Sequence, residues 1–170
     1  MRLLPALSAA LALSALDVTA AAAQDMSNRR LDSLLRVYVD TLAGGGGQWR
    51  FVLGETPMIL LTDERYDRMR VVSPVREVEG MSHEELQTCL AANFHSALDV
   101  KYALSEGTLW VAFIHPLSPL RDEQFADALA QVRSAVVTYG DTYTSTDLVF
   151  PAPRRAAPVA EDEDRDSKRL

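Results

Sequence analysis

The chain has 170 residues, of which 48% are hydrophobic, 24% charged and 7% aromatic, proportions typical of one folded domain rather than a fibrous or disordered chain. Its formal net charge of −7 leaves it without the basic footprint with which general nucleic-acid binders displace counterions, so we expect no nucleic-acid partner. A single cysteine, Cys89, excludes an internal disulfide framework and a zinc site built from several thiolates.

Residues 1–23 have the pattern of a secretory signal peptide: one basic residue, an apolar run over Leu3–Leu16, and then small residues. The final alanines fit the A-x-A rule, which predicts cleavage between Ala23 and Gln24. The apolar run is shorter than the roughly 20 residues that a membrane-spanning helix needs. We therefore expect an exported protein without stable membrane insertion, which is periplasmic if the source is a Gram-negative bacterium.

Residues 151–170 combine prolines, alanines and clustered charges, a composition that predicts a disordered charged tail. The acidic run Glu161–Asp164 lacks the glycine and the spaced oxygen ligands of a calcium loop. The folded domain is accordingly expected within residues 24–150.

The first half of this domain is predicted to contain one helix and three strands. Apolar residues recur with helical spacing over residues 27–42. The glycines of 44–47 are expected to form a flexible connector, because no Gly-Lys-Ser/Thr follows them as in a phosphate-binding loop. Strands are predicted over 48–53, over 58–62 as a central strand, and from 68 to 72 or 78, where Pro74 indicates a sheet edge or a bulge.

The second half is predicted to contain a helix, a hairpin and a further helix. Ser82 and Glu85 form a capping box, and this helix is expected to end near Ala97. Its predicted apolar face is made by Leu86, Cys89, Leu90 and Phe94. The Glu106-Gly107 turn predicts a hairpin that pairs Leu104 with Leu109, Tyr102 with Val111 and Val100 with Phe113.

The last helix is expected to begin after Ser118-Pro119 and to bury Phe125, Leu129, Val132 and Val136. A short extended segment over 143–150 closes the domain. The resulting order, α-β-β-β-α-β-β-α, predicts an α+β fold in which helices pack against an antiparallel sheet of about five strands.

The residues that could carry chemistry form no standard set. His83, His95 and His115 are spaced unlike any common metal site, and Cys89 lies on an apolar helix stripe where an inert buried thiol is usual. We therefore expect no catalytic residue, no metal and no cofactor.

Two features are candidates for binding a partner. Trp110 and Ile114 lie on the second face of the predicted hairpin, where they need cover from another element or from a partner. Arg68 and Arg70 belong to an arginine cluster around the third strand that suits an acidic peptide or a phosphate. The alternative is that these charges protect an edge strand from aggregation.

Several short sequences in the second half are similar to one known family. They are Asn93, Val100–Leu104, Glu106-Gly107, Leu109–Val111, His115–Leu117, Leu120 and Phe125. With the element order, they make residues 28–150 resemble the YbjN-like family, which is related in fold to type III secretion chaperones. The resemblance implies an α+β fold with helices on a twisted antiparallel sheet, and no known catalytic residue or cofactor.

The same resemblance bears on function. Secretion chaperones bind extended segments of other proteins and often dimerise, whereas YbjN-like proteins are linked to regulation of stress or motility. Those chaperones work in the cytoplasm, so the predicted export signal departs from their pattern.

These observations predict an exported, non-enzymatic module that binds a protein or peptide partner by strand addition or helix packing. The candidate contact residues are Trp110, Ile114, Arg68 and Arg70. The alternatives are a structural homodimer without a ligand, or a hydrolase-type enzyme with a sparse site around His115 or His95.

Overall fold

Three helices lie on one face of a six-stranded antiparallel sheet in the computed structural model, which describes residues 25–149. The strand order is β1-β2-β3-β4-β6-β5, and the predicted α+β class is confirmed. The predicted signal peptide and charged tail lie outside the described residues. In chain order the elements are α1 (Asn28–Tyr38), β1 (Thr41–Gly45), β2 (Gln48–Leu53), β3 (Thr56–Asp63), β4 (Arg68–Glu77), α2 (His83–His95), β5 (Val100–Ser105), β6 (Thr108–Pro116) and α3 (Asp122–Val137).

The core fills the space between the helices and the inner face of the sheet. Side chains alternate along each strand, so every second residue points towards the helices. On α1 and α3 the buried stripes include Leu31, Leu35, Phe125 and Leu129. The sheet contributes the buried residues Trp49, Phe51, Met58, Leu60, Met69, Val71, Val100, Tyr102, Leu109, Val111 and Phe113.

The first helix is shorter than predicted, because the chain becomes extended at Val39 and pairs with β2 from Thr41. Leu42 therefore belongs to β1, opposite Phe51, and not to the helical stripe. Leu42 fits the helical spacing only by coincidence. It is apolar because it is partly buried in the strand, and its distance in sequence from the helix happens to match the helical repeat.

The glycine run is part of a hairpin, so the prediction of a flexible connector was wrong. Gly44 and Gly45 end β1, and Gly46 and Gly47 form the two-residue turn to β2, with φ of 62° and 103°. Left-handed conformations at both turn residues match the strand twist of tight hairpins, and glycine adopts them without steric cost.

The third predicted strand is not at the sheet edge. β4 lies between β3 and β6, and its pairing with β6 shifts register between Pro74 and Arg76, so the predicted bulge is confirmed. A bulge interrupts the ladder locally and therefore tolerates a residue without a backbone donor. The alternative interpretation of Arg68 and Arg70 as edge protection is wrong, because they lie on the open face of an inner strand.

The α2 capping box is confirmed by two hydrogen bonds, from the Glu85 backbone to Ser82 Oγ (3.1 Å) and from the Ser82 backbone to Glu85 Oε2 (2.7 Å). The helix ends at His95, close to the predicted Ala97. Its predicted apolar face is only partly correct. Cys89 and Ala92 are buried, whereas Leu90 and Phe94 are 68% and 62% exposed.

The β5–β6 hairpin has the predicted register at all three pairs of residues. By contrast, α3 begins at Asp122, later than predicted, because Ser118 and Pro119 belong to the turn before it. Residues 143–149 form bends and irregular backbone rather than the predicted extended segment. Their backbone is tied to the helices instead, as the Ser145 N–H donates to the Ser96 carbonyl (3.1 Å).

Candidate functional surface

The outer face of the sheet, opposite the helices, carries an apolar strip. Cross-strand pairing places Ile59 beside Val72, Val72 beside Ala112, and Pro74 beside Trp110. All three helices pack on the other face, so within residues 25–149 no element covers this strip. We define the apolar strip as Ile59, Leu61, Val72, Pro74, Trp110, Ala112 and Ile114.

Three arginines border the strip. Arg50 pairs with Ile59 across β2 and β3, Arg70 lies between Leu61 and Ile114, and Arg68 is the next outer-face residue of β4. The ion pairs of residues 25–149 are Arg30–Asp122, Arg36–Asp32 and Arg76–Glu85, so none of the three arginines forms an ion pair there. Arg68 is nevertheless engaged, because its Nη1 donates to the Asp67 carbonyl (2.9 Å) and its charge helps to lower the pKa of the Asp67 carboxyl. The outer face therefore offers two guanidinium groups without a carboxylate partner, those of Arg50 and Arg70, beside apolar side chains.

The other charges of this face are already engaged. The side chain of Lys101 leaves β5 on the outer face, and its ammonium group donates to the carbonyl oxygens of Leu98 and Val100 (2.9 Å for Val100). Burial lowers the pKa of Lys101 and nearby Asp99 opposes this effect. Asp63 accepts a hydrogen bond from the Tyr66 backbone (3.0 Å), and Glu77 contacts the Thr108 hydroxyl (3.4 Å).

Two shallow hollows on the outer face combine apolar and cationic lining. The larger, of about 420 Å³, includes Val52, Ile59 and Pro74 together with Arg50. The smaller, of about 200 Å³, includes Leu61 and Ile114 together with Arg68 and Arg70. Each hollow can hold an apolar side chain while an arginine contacts a group beside it.

The four candidate residues from the sequence come together on this face. Arg70 is directly opposite Ile114, and Trp110 lies four residues before Ile114 on β6, opposite Pro74. Trp110 is half-buried, with its indole N–H donating to the Ser105 carbonyl (3.3 Å), whereas Ile114 is 58% exposed. This juxtaposition defines a candidate binding surface.

Sequence reasoning missed the β3 and β2 part of the surface. Residues 58–62 form an apolar run, which correctly predicts a central strand but does not say which face is covered. The signal that was available is the alternation of Arg50 with the buried Trp49 and Phe51, which assigns Arg50 to the open face.

A second exposed apolar surface lies at the β5 edge. The Asn93 side chain contacts the backbone of Tyr102, donating to its carbonyl (3.1 Å) and accepting from its N–H (2.7 Å). Leu90 and Phe94 flank Asn93 on α2, and Leu104 follows Tyr102 on β5 with 55% of its surface exposed. We call Leu90, Phe94 and Leu104 the edge patch.

The residues considered for chemistry are dispersed or structural. Burial and nearby Glu85 raise the pKa of the Cys89 thiol, which lies on the buried face of α2, and burial also raises the pKa of the neighbouring Tyr102. His115 stacks on Phe113, with ring centroids 6.0 Å apart, and its Nδ1 lies 2.7 Å from the Pro116 carbonyl. Among residues 25–149, no group of three His, Cys, Asp or Glu side chains is placed to hold a metal ion.

No helix in the described part of the chain is long and apolar enough to cross a bilayer.

Comparisons with known proteins support the fold. No protein-family model matches the sequence, and no curated protein matches it. Two similar solved chains come from the HopA1–SchA chaperone–effector complex (14% identity, TM-score 0.52, covering 64% of this chain and 88% of that one) and from the Yersinia pestis type III secretion chaperone SycH bound to a stable fragment of YscM2 (13% identity, TM-score 0.52, covering 66% and 98%). Another comes from the ExsC–ExsE complex (15% identity, TM-score 0.50, covering 64% and 90%).

The chain therefore has a fold like that of type III secretion chaperones. At these identities the similarity establishes the architecture alone, because one fold serves many functions.

Proposed function

We propose that this protein is a non-enzymatic, chaperone-like module that binds a segment of a partner protein on the outer face of its sheet. The observation that carries the proposal is the apolar strip, which no element of residues 25–149 covers. Contiguous exposed apolar surface is unusual on monomeric proteins and commonly marks an interaction site. The similar solved chains come from complexes described as chaperone with effector, or as chaperone with a protein fragment, which supports the same kind of partner here.

We further propose that the protein is exported and that it is a YbjN-like protein. The first statement is supported by the signal-peptide pattern of residues 1–23, and the second by the sequence similarities around Asn93 and Trp110. Mass spectrometry of the protein isolated from its source tests export directly. A mature chain that begins at Gln24 is expected, whereas a cytoplasmic chain that retains residues 1–23 would contradict export.

Affinity capture from the native compartment tests the binding proposal. Ile114→Asp places a charge in the apolar strip, and Trp110→Ala removes its largest side chain. Val37→Asp is the matched control, because Val37 is 77% exposed on α1, on the opposite side of the sheet. We expect both outer-face variants to lose the proteins that the wild type and the control retain. Identical partners in equal amounts across all four proteins would refute the proposal.

A second candidate is a structural homodimer, and the edge patch is the observation that favours it. Leu90, Phe94 and Leu104 expose apolar surface beside an edge strand, an arrangement suited to an isologous contact. Light scattering of the full chain is expected to give a dimer that Leu90→Glu with Phe94→Glu converts to a monomer. A wild-type monomer throughout the micromolar range would rule this candidate out.

A further inference from the structure

We infer that the outer face selects partner segments that are acidic as well as apolar, with carboxylates adjacent to the side chains that enter the hollows. This inference rests on the proposed function and specifies the chemistry of the partner. It is carried by the placement of Arg50 and Arg70 beside the apolar strip.

Arg50 and Arg70 point to carboxylates because they lack such partners within residues 25–149. A guanidinium group beside apolar surface is weakly hydrated and presents a planar set of donors that matches a carboxylate in two parallel hydrogen bonds. A partner that covered the strip with neutral residues would exclude water from these arginines, and the hydrogen bonds between water and the guanidinium groups would be lost without replacement. A partner with adjacent carboxylates supplies new hydrogen bonds to the same groups.

The two hollows are neighbours on the outer face of β3. Ile59 lines one hollow and Leu61 lines the other, two residues apart on β3. The Cα atoms of these two residues are about 7 Å apart, since a strand rises roughly 3.3 Å per residue. One partner segment that crosses β3 can therefore place an apolar side chain in each hollow.

The net charge of the protein does not prevent this selection. At −7 the whole chain repels an acidic partner at long range. At physiological ionic strength, however, charges separated by more than about 8 Å are largely screened. Direct contacts with Arg50 and Arg70 act within that distance, so they determine which segment remains bound.

Peptide binding to the full-length mature protein tests the inference. The probes are three labelled 14-residue peptides that share one pattern of leucine and valine and carry, at the remaining positions, only Glu, only Gln or only Lys. Fluorescence anisotropy is expected to give at least about tenfold tighter binding for the Glu peptide than for the Gln peptide, a difference of about 1.4 kcal/mol. Arg50→Gln with Arg70→Gln should remove this preference, and Arg29→Gln on α1 should preserve it.

Reversal of the charges gives a further readout that loss of folding cannot mimic. Arg50→Glu with Arg70→Glu should bind the Lys peptide better than the Glu peptide. Neutralising the acidic run Glu161–Asp164 provides another comparison, because that run could compete for the same arginines. Tighter binding of the Glu peptide to the neutralised variant would support an outer face that selects carboxylates.

The contrary results separate the two proposals. Equal binding of all three peptides, reduced by Ile114→Asp, would overturn acidic selection while leaving an apolar binding face. Absence of binding by every peptide would also overturn the inference. The proposed function would then be judged by affinity capture from the native compartment, which uses no peptide.

Discussion

Asn93 joins α2 to the edge strand β5 through a pair of hydrogen bonds with the Tyr102 backbone. Since both backbone groups of Tyr102 point away from β6, this side chain takes the place of a neighbouring strand. We expect Asn93→Ala to lower the free energy of unfolding by about 1–3 kcal/mol, because partly buried backbone groups lose their partners. Urea denaturation measures the change.

Gln87→Ala is the control for Asn93→Ala, since Gln87 is exposed on the same helix. It should change the stability by less than about 0.5 kcal/mol. An Asn93→Ala protein as stable as this control would show that water satisfies the edge equally well.

Asp67 makes the stability depend on pH in the acidic range. Its carboxylate accepts hydrogen bonds from the Ser118 backbone (2.6 Å) and hydroxyl (3.0 Å), and these bonds lower its pKa below the ordinary value of 3.8. The folded state therefore binds this proton less readily than the unfolded state. The stabilisation is present above pH 3.8 and is lost as the pH falls through the lower, folded-state pKa.

Asp67→Asn tests this linkage, because asparagine keeps the shape of the side chain and tolerates the positive φ of 51° at this position. We expect the variant to lose less stability than the wild type on acidification from pH 5 to pH 3, as followed by thermal unfolding. Asp141→Asn, on an exposed turn, should follow the wild-type curve. Parallel curves for all three proteins would contradict the assigned role of Asp67.

The candidate surface could be predicted in part because strand alternation is a local property. Once Trp110 and Ile114 share a strand with buried Val111 and Phe113, their assignment to the opposite face follows. Their proximity to Arg70 depends on the pairing of β4 with β6, which are separated by a helix and a strand in the sequence. No local pattern contains that information.

At the scale of elements, the β1–β2 hairpin depends on Gly44 more than on the turn itself. Gly44 has a φ of 98°, and a Cβ there would collide with the Gln48 carbonyl oxygen of the backbone. Gly46 also has a positive φ, of 62°, but faces open space. We therefore expect Gly46→Ala to cost about 1–2 kcal/mol and Gly44→Ala to cost more, as measured by denaturant unfolding. Equal costs would show that the edge strand adjusts freely.

The predictions of secondary structure are correct where residues close together in the sequence determine the element, and they fail where tertiary packing determines it. The α2 capping box and the Glu106-Gly107 hairpin depend on residues within a few positions of one another, and both are confirmed. The boundary between α1 and β1 was missed because Leu42 fits the helical spacing, while its strand pairing with Phe51 is decided by tertiary packing. Pro74 suggested an edge strand because only the sheet order reveals neighbours on both sides of β4.

At the scale of the whole molecule, the two faces of the sheet differ in kind. The inner face is buried against three helices, whereas the outer face combines apolar side chains with arginines that form no ion pair in residues 25–149. If all apolar side chains were buried in the core, no apolar surface would remain for a partner. The layered architecture leaves such a surface, because a sheet covered by helices on one side exposes its other side.

Site-specific photocrosslinking in the native host tests the outer-face account most directly. A benzophenone amino acid replaces Ile114 or Ile59 on the outer face, or Val37 or Val137 on the helix side, where the last two residues are 77% and 63% exposed. We predict that the same partner protein is captured from both outer-face positions and from neither helix position. Capture from the helix positions alone, or equally from all four, would contradict the account.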